Sequence, residues 1–242
     1  MSRRIAVILS LNVLLALGVV ATIGAQEPAG AAKGAPVKGK AGGGKGKTVA
    51  ARPALFFREE WKQLPTNAEH PVDQASLANA DLELKLYNNT GEGILMTGTT
   101  GLESNPPHIW TGVCEGPCAA TLRHKTKSAD LTGLARIKAN IKSSGFHQVR
   151  PMVKLADGTY LVADAAVGTF TDWLNYEFAV GDLRWLTLDA KRVVTTGTWV
   201  NNPDLSKVDE IGFADLMPGS GHGAGGWVDV AEIEVYANSV AR

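Results

Sequence analysis

Arg123, Gln148 and Arg150 are the side chains whose type and spacing best suit recognition of hydroxyl or carboxylate groups. In Thr121-Leu-Arg123-His124-Lys125 an extended backbone puts Arg123 on the face of Thr121 and Lys125, away from Leu122. In Gly145-Phe-His147-Gln148-Val-Arg150 it puts Gln148 and Arg150 side by side on a polar face. Both types are planar, and together they offer donors and an acceptor in fixed geometry. Aromatic rings complete such chemistry, because pyranose rings stack their C–H-rich faces on indole and phenol planes. The sequence supplies Trp110, Tyr160, Trp173, Tyr176, Trp185, Trp199 and Trp227, of which Trp110 and Trp173 are the expected contacts. A solvated polar face and a set of core aromatics are the competing reading of the same residues.

Catalytic motifs are missing from this picture. No nucleophile elbow, P-loop, dinucleotide fingerprint or HExxH helix occurs. Glycoside hydrolysis needs two acids flanking the scissile bond. Glu232 and Glu234 sit on one strand face roughly 7 Å apart by strand rise, but their side chains point in parallel. Asp209-Glu210 and Glu59-Glu60 are adjacent and diverge on strands. An enzyme would have to bring Asp164, Asp172 or Asp215 together from different strands, which makes a hydrolase or lyase the alternative rather than the expectation. His222, alone in Gly219-Ser-Gly-His-Gly-Ala-Gly-Gly226, is either a ligand or general base or an ordinary residue of a glycine-rich loop.

The elements that carry these residues follow a long non-globular N-terminus. Met1-Ser-Arg-Arg leads into an apolar run from Ile5 to Val20 and then small residues through Ala25, the pattern of a secretory signal peptide over 1–25. An uncleaved membrane anchor is the alternative. Residues 26–52 are mostly Gly, Ala, Lys and Pro, with six bases, one acid and no aromatic residue, and read as a disordered linker. The chain has 24 bases and 24 acids, but residues 53–242 hold 16 bases against 23 acids. That acidic body argues against nucleic acid as a partner, while the basic linker suits weak contact with anionic envelope surfaces. Export to a secreted or periplasmic location would place Cys114 and Cys118, in a C-x3-C spacing around Gly116-Pro117, in an oxidising compartment where a disulfide is expected. Free thiols or a metal are the alternatives, and the flanking His108 and His124 lack a ligand spacing. Asn88-Asn-Thr90 is a glycosylation sequon by pattern.

From Leu55 onward the periodicity is that of strands. Leu134–Ile141 alternates, with Ala135, Ile137, Ala139 and Ile141 on one face and Arg136, Lys138 and Asn140 on the other. Gln148 to Asp164 reads as a hairpin turning at Asp157-Gly158. Trp173–Val180, Trp185–Asp189, Val208–Phe213 and Trp227–Tyr236 are further strands, and Glu59–Leu64, Asp73–Ala80 and Asp182–Trp185 are the candidate helical turns. Leu55-Phe-Phe-Arg-Glu-Glu-Trp61 reads as a segment packing Phe56, Phe57 and Trp61 onto the body.

The order Asp130-Leu-Thr-Gly133, alternating strand, Asp-Gly hairpin, Pro203-Asp-Leu-Ser-Lys-Val-Asp-Glu-Ile-Gly-Phe213 and Asp229-Val-Ala-Glu-Ile-Glu-Val-Tyr236 resembles the galactose-binding-like jelly-roll domains of secreted carbohydrate-binding modules and discoidin-like proteins. The likeness spans about residues 105–237 of a domain placed at 53–242. It implies an all-β, antiparallel two-sheet sandwich whose last strand pairs near the first, and a non-catalytic protein recognising a glycan or other cell-envelope ligand. It also implies a structural calcium, but the usual last-strand carboxylate falls near Ala231, leaving only Asp229 or Glu232 to serve, so no cofactor is expected. A protein-interaction or structural role in the envelope is the other alternative.

Overall fold

Alternating apolar residues along Arg136–Leu155 build the strand that organises the molecule. The computed structural model describes residues 51–62, 68–217 and 225–242. The expected signal peptide, the linker up to residue 50 and His222 lie outside the described residues. Strands β1 (Leu55–Glu59), β2 (His70–Pro71), β3 (Leu82–Tyr87), β4 (Leu95–Thr97), β5 (His108–Trp110), β6 (Cys118–His124) and β7 (Lys127–Asp130) come first. They are followed by β8 (Arg136–Leu155), β9 (Tyr160–Ala163), β10 (Val167–Ala179), β11 (Trp185–Asp189), β12 (Val194–Val200), β13 (Val208–Asp215), β14 (Gly226–Tyr236) and β15 (Asn238–Ala241).

The chain is the expected all-β antiparallel sandwich. The two alternating runs flanking Gly145 are one 20-residue strand, and its halves belong to different sheets. The first half, Arg136–Gly145, pairs with β14 on one side and β10 on the other. Sheet I continues past β14 with β1, and with β5, β4 and β2. The second half, Val149–Leu155, pairs with β13 and with β9, giving sheet II in the order β12-β11-β9-β8-β13-β6-β3. The handover occurs at Gly145, which has φ +67 and faces Gly226 at φ +109. A Cβ on Gly145 would lie 2.3 Å from the Gly225 carbonyl, and one on Gly226 would lie 2.0 Å from that of Ser144. Only glycine permits this conformation and this approach.

The core between the sheets takes Ile137, Ala139, Ile141, Val149 and Val153 from β8, with Ile211 and Phe213 from β13. On β14 the buried set is Val228 and Val230, then Ile233 and Val235. The phase changes because the ladder with β8 shifts between Val230 and Glu232, a bulge that absorbs Ala231. β1 pairs with the end of β14, burying Phe57 and Trp61.

Two of the candidate helical turns are shorter than expected, and of Glu59–Leu64 only residues 59–62 are described. Asp73–Ala80 contains one 3-10 turn, Gln74–Ser76, capped by the Asp73 carboxylate, which accepts from the amides of Ala75 and Ser76. The turn near Asp182 is Val180–Asp182. At Glu59–Leu64, Glu59 instead ends β1 and is fully buried, accepting from the backbone N–H groups of Trp61, Ala78 and Asn79 at 2.7, 2.7 and 3.0 Å. Three amide donors satisfy a carboxylate that burial would otherwise penalise. Among the described residues no helix is long and apolar enough to cross a membrane. Cys114 and Cys118 are joined as a disulfide.

Candidate functional site

The outer face of sheet I is built from side chains that alternate away from the core. Register sets them in rows: Asn175, Asn140 and Glu232 form one, and Glu177, Lys138, Glu234 and Arg58 the next. Arg136 and Tyr236 stand opposite each other in a third. The β14 bulge is what keeps Asp229 and Glu232 on this same outer face, despite their odd sequence spacing.

These rows floor an open cleft of about 400 Å³ that includes Arg58, Lys138, Asn140, Glu177 and Glu232. A second cleft of about 300 Å³, walled by Trp61, Pro106 and Pro107, shares Asn140 and Glu232 with the first. The two therefore meet at those residues and form one groove across the sheet. Its charges are paired locally. Arg58 reaches Glu232 at 2.6 Å, Glu60 at 3.2 Å and Glu234 at 3.3 Å, while Lys138 and Arg136 lie 3.5 and 3.7 Å from Glu177. The hydrogen bond to Glu232 raises the Arg58 pKa further above its ordinary value. Tyr236 donates to Glu234 at 2.9 Å, and the Arg136 guanidinium lies 4.6 Å from the Tyr236 ring centroid. At the junction of the two clefts the Asn140 side-chain oxygen is buried, with no hydrogen-bond partner among the described residues.

One end of the same face is closed. Lys142 stands opposite Asp229, 3.2 Å away, with its ammonium over the rings of Trp173 and Trp227 at 4.9 and 5.1 Å. His108 approaches Asp229 at 3.7 Å and packs edge-on to Trp173. Burial raises the Asp229 carboxyl to about 7 against the opposing pull of Lys142, and burial lowers the His108 imidazole to about 4. The donor set suits no hard cation, because Asp229 is held against an ammonium and Glu232 against Arg58. Among the described residues no cluster of three or more His, Cys, Asp or Glu is placed to hold a metal.

The five expected contact residues divide between two faces. Trp110, opposite Asp229, and Trp173 belong to sheet I. Trp173 is half-buried, donates its indole N–H to the Ser104 carbonyl at 3.2 Å and has Lys142 over its ring, so it closes the groove rather than paving it. Arg123 and Arg150 lie on sheet II, and Gln148, opposite Gly168 of β10, lies at the handover beside it. Arg150 brackets β8 to β9, donating to the carbonyls of Ala163 and Asp164 at 3.3 and 2.6 Å and to the Gln148 side-chain oxygen at 3.2 Å. Arg123 lies 3.6 Å from Glu83 on β3. No single concave surface unites the five. The groove residues Lys138, Asn140, Glu232 and Glu234 were visible as outward positions, but the partners that align them, Asn175, Glu177 and Arg58, come from pairings no local pattern encodes.

The three acids of the enzymatic alternative are also differently engaged. Asp164 pairs with Arg184. Asp215 is buried against His147 at 2.6 Å and Thr111 at 3.0 Å. Asp172 lies on exposed β10.

No protein-family model matches the chain, and no curated protein matches it. Among solved structures it is similar to the family 11 carbohydrate-binding module of a cellulosomal cellulase of Clostridium thermocellum, at 16% identity and TM-score 0.39 over 72% of this chain and 97% of that one. The Clostridium thermocellum family 11 module in complex with a beta-1,3-1,4-mixed-linked tetrasaccharide gives 18% identity and TM-score 0.41 over 72% of this chain and 98% of that one. Arcelin-5, a lectin-like defense protein from Phaseolus vulgaris, gives 12% identity and TM-score 0.30 over 79% of this chain and all of that one, 100%. At this distance no ligand and no binding residue is carried over from them.

Proposed function

We propose that this protein is an exported, non-catalytic binding protein that holds an extended, uncharged glycan in the groove across the outer face of sheet I. The observation that carries the reading is the polar row at the groove's junction, where Asn140 stands in register between the amide of Asn175 and the carboxylate of Glu232. Planar amides and carboxylates at fixed strand spacing suit a ligand with hydroxyls at regular intervals. The pairing of Arg58, Arg136 and Lys138 with Glu177, Glu232 and Glu234 leaves little net field along the groove. A neutral polyhydroxylated chain fits that balance better than a polyanion. The groove carboxylates are tied to cations, which supports binding over acid–base chemistry.

Affinity electrophoresis in gels containing mixed-linkage β-glucan, xylan, galactomannan or alginate tests this. At least one neutral polymer should retard the protein and alginate should not. Asn140→Ala should weaken the retardation about tenfold, the order expected for one buried hydrogen bond and its displaced neighbours. Retardation by none of the neutral polymers, or equal retardation of the variant, rejects the reading.

A further inference from the structure

A second cleft lies at the far edge of the other sheet. It has a volume of about 760 Å³ and runs between β11, β12 and the segment 201–205. Trp199 on β12 stands opposite Leu186, while its neighbour Val200 stands opposite Trp185, which is buried in the core. The alternation therefore turns Trp199 outward, and it is 46% exposed, unusual for an indole with no bound partner. The Arg184 guanidinium lies 4.5 Å from the Trp199 ring centroid. It covers one face of the indole and leaves the ring's exposed area to the other face and edge.

Arg184 is itself held by the Asp164 carboxylate, and the Asp164 amide donates to the Arg184 carbonyl at 2.8 Å. The Arg184 side chain is 71% exposed, so this pair orients the guanidinium only weakly. Asn201 and Asn202, both exposed, line the same cleft. Their backbone is anchored nearby, since Leu131 donates to the Leu205 carbonyl at 2.9 Å and Asp204 accepts from the amide and hydroxyl of Ser206 at 3.0 and 2.6 Å. Asn202 takes the left-handed conformation at φ 49, which asparagine tolerates.

An exposed indole beside exposed amides has the chemistry of a pyranose subsite: a flat apolar face to stack on the sugar ring and amides to hydrogen-bond its hydroxyls. We propose that the Trp199–Arg184 cleft is a second glycan-binding site, at the β11–β12 edge of sheet II and separate from the groove of sheet I. It takes the same ligand class as the groove but none of its residues. One domain would then hold glycan at two separate places, with avidity toward polymers that short oligosaccharides do not show.

The six tryptophan indole N–H resonances of the full chain report the two sites separately. The chain is titrated with the tetrasaccharides of mixed-linkage β-glucan, xylan and mannan at millimolar concentration, the Trp199, Trp173 and Trp227 signals being assigned from Phe variants. The proposal expects the Trp199 resonance to shift with at least one tetrasaccharide, and to shift equally in Asn140→Ala. Trp199→Ala in the Asn140→Ala background should then weaken residual retardation on the matching polymer about tenfold. A Trp199 signal that stays fixed while Trp173 or Trp227 moves overturns this site and leaves the groove standing. Movement of Trp199 alone upholds this site and rejects the groove. If no tetrasaccharide moves any of the three, both are rejected.

Discussion

The two halves of β8 obey one alternation and end in two environments. In the first half the outward residues Lys138, Asn140 and Lys142 keep contact with solvent, and clefts open above the first two. In the second half the outward Met152 is fully buried. A second apolar cluster lies over sheet II, where Met152, Val162 and Ala214 meet Leu188, Ala190 and Val193 from the β11–β12 hairpin and its turn. The strand pattern is the same in both; what differs is whether a hairpin folds back over it. An open polar face is therefore defined here by loops and edges, and a β-strand presents a site only where nothing covers it.

The largest test of this contrast is at Glu210, the buried acid of the covered face. Its carboxylate accepts from Thr121 at 2.8 Å, from Lys154 at 3.0 Å and from the Tyr87 hydroxyl, which also reaches Tyr160 at 3.3 Å. Burial first, and the bond to Glu210 second, hold the Tyr87 phenol well above its ordinary range, so it stays a donor. Glu210→Ala strands these donors and should cost about 3–5 kcal/mol. For a domain of this size that is a melting shift on the order of 10 °C. Glu234→Ala on the open face should cost less than about 1 kcal/mol. Equal losses in thermal melts would erase the contrast.

Next in size is the apolar pair of equivalent outward positions. Met152→Ala should cost about 2–5 kcal/mol through the cavity it leaves. Lys138→Ala, on the same strand and the same side, should stay within about 0.5 kcal/mol. Urea unfolding midpoints of the two variants compare them directly.

Much of this scaffold was readable in the residues, and the reasons for the exceptions are physical. Alternation around Ile137, Ala139 and Ile141 fixed the inward face of β8, and Asp157-Gly158 fixed the hairpin, because both signals are local. That Arg136–Ile141 and Gln148–Leu155 are one strand depends on Gly145 and Gly226 meeting across two chain segments about 80 residues apart. The bulge at Ala231 has no local signature, yet it decides that Asp229 and Glu232 share a face. Glu59 looked like the start of a helical turn because its three amide donors lie up to 20 residues away. Arg123, Gln148 and Arg150 were rightly placed on outward positions of strands, but which sheet those strands join, and with what beside them, is tertiary information.

The closed end of sheet I sharpens the comparison through pH. With His108 lowered to about 4 and Asp229 raised to about 7, the pair holds one proton between those limits. His108 is depressed, so unfolding takes up its proton as pH falls from 6.5 towards 4, and stability drops in that direction. Asp229 is raised, so unfolding releases its proton as pH rises from 3.8 to about 7, and stability drops in the opposite direction. The two slopes oppose each other between pH 4 and 6.5. His108→Gln should unmask a loss of stability with rising pH, and Asp229→Asn a loss with falling pH, each up to about 1.4 kcal/mol per pH unit. Denaturation curves across that range that are parallel for wild type and both variants would show the pair to be unlinked.

The smallest effect belongs to Arg58, which has the most ion-pair partners of any residue on the open face. It touches Glu60, Glu232 and Glu234, yet its side chain is 48% exposed and water screens each contact. Arg58→Ala should therefore lower stability by less than about 1 kcal/mol, and added salt should shrink that difference further. Its larger consequence is electrostatic: Glu60, Glu232 and Glu234 lose their shared counter-charge, and the groove acquires a net negative field. Binding of a neutral glycan should then weaken only through lost hydrogen bonds, by less than about tenfold. If Arg58→Ala instead destabilised the domain as much as Glu210→Ala, the ion pairs of sheet I would be acting as a buried network does, and openness would not be what separates the two faces.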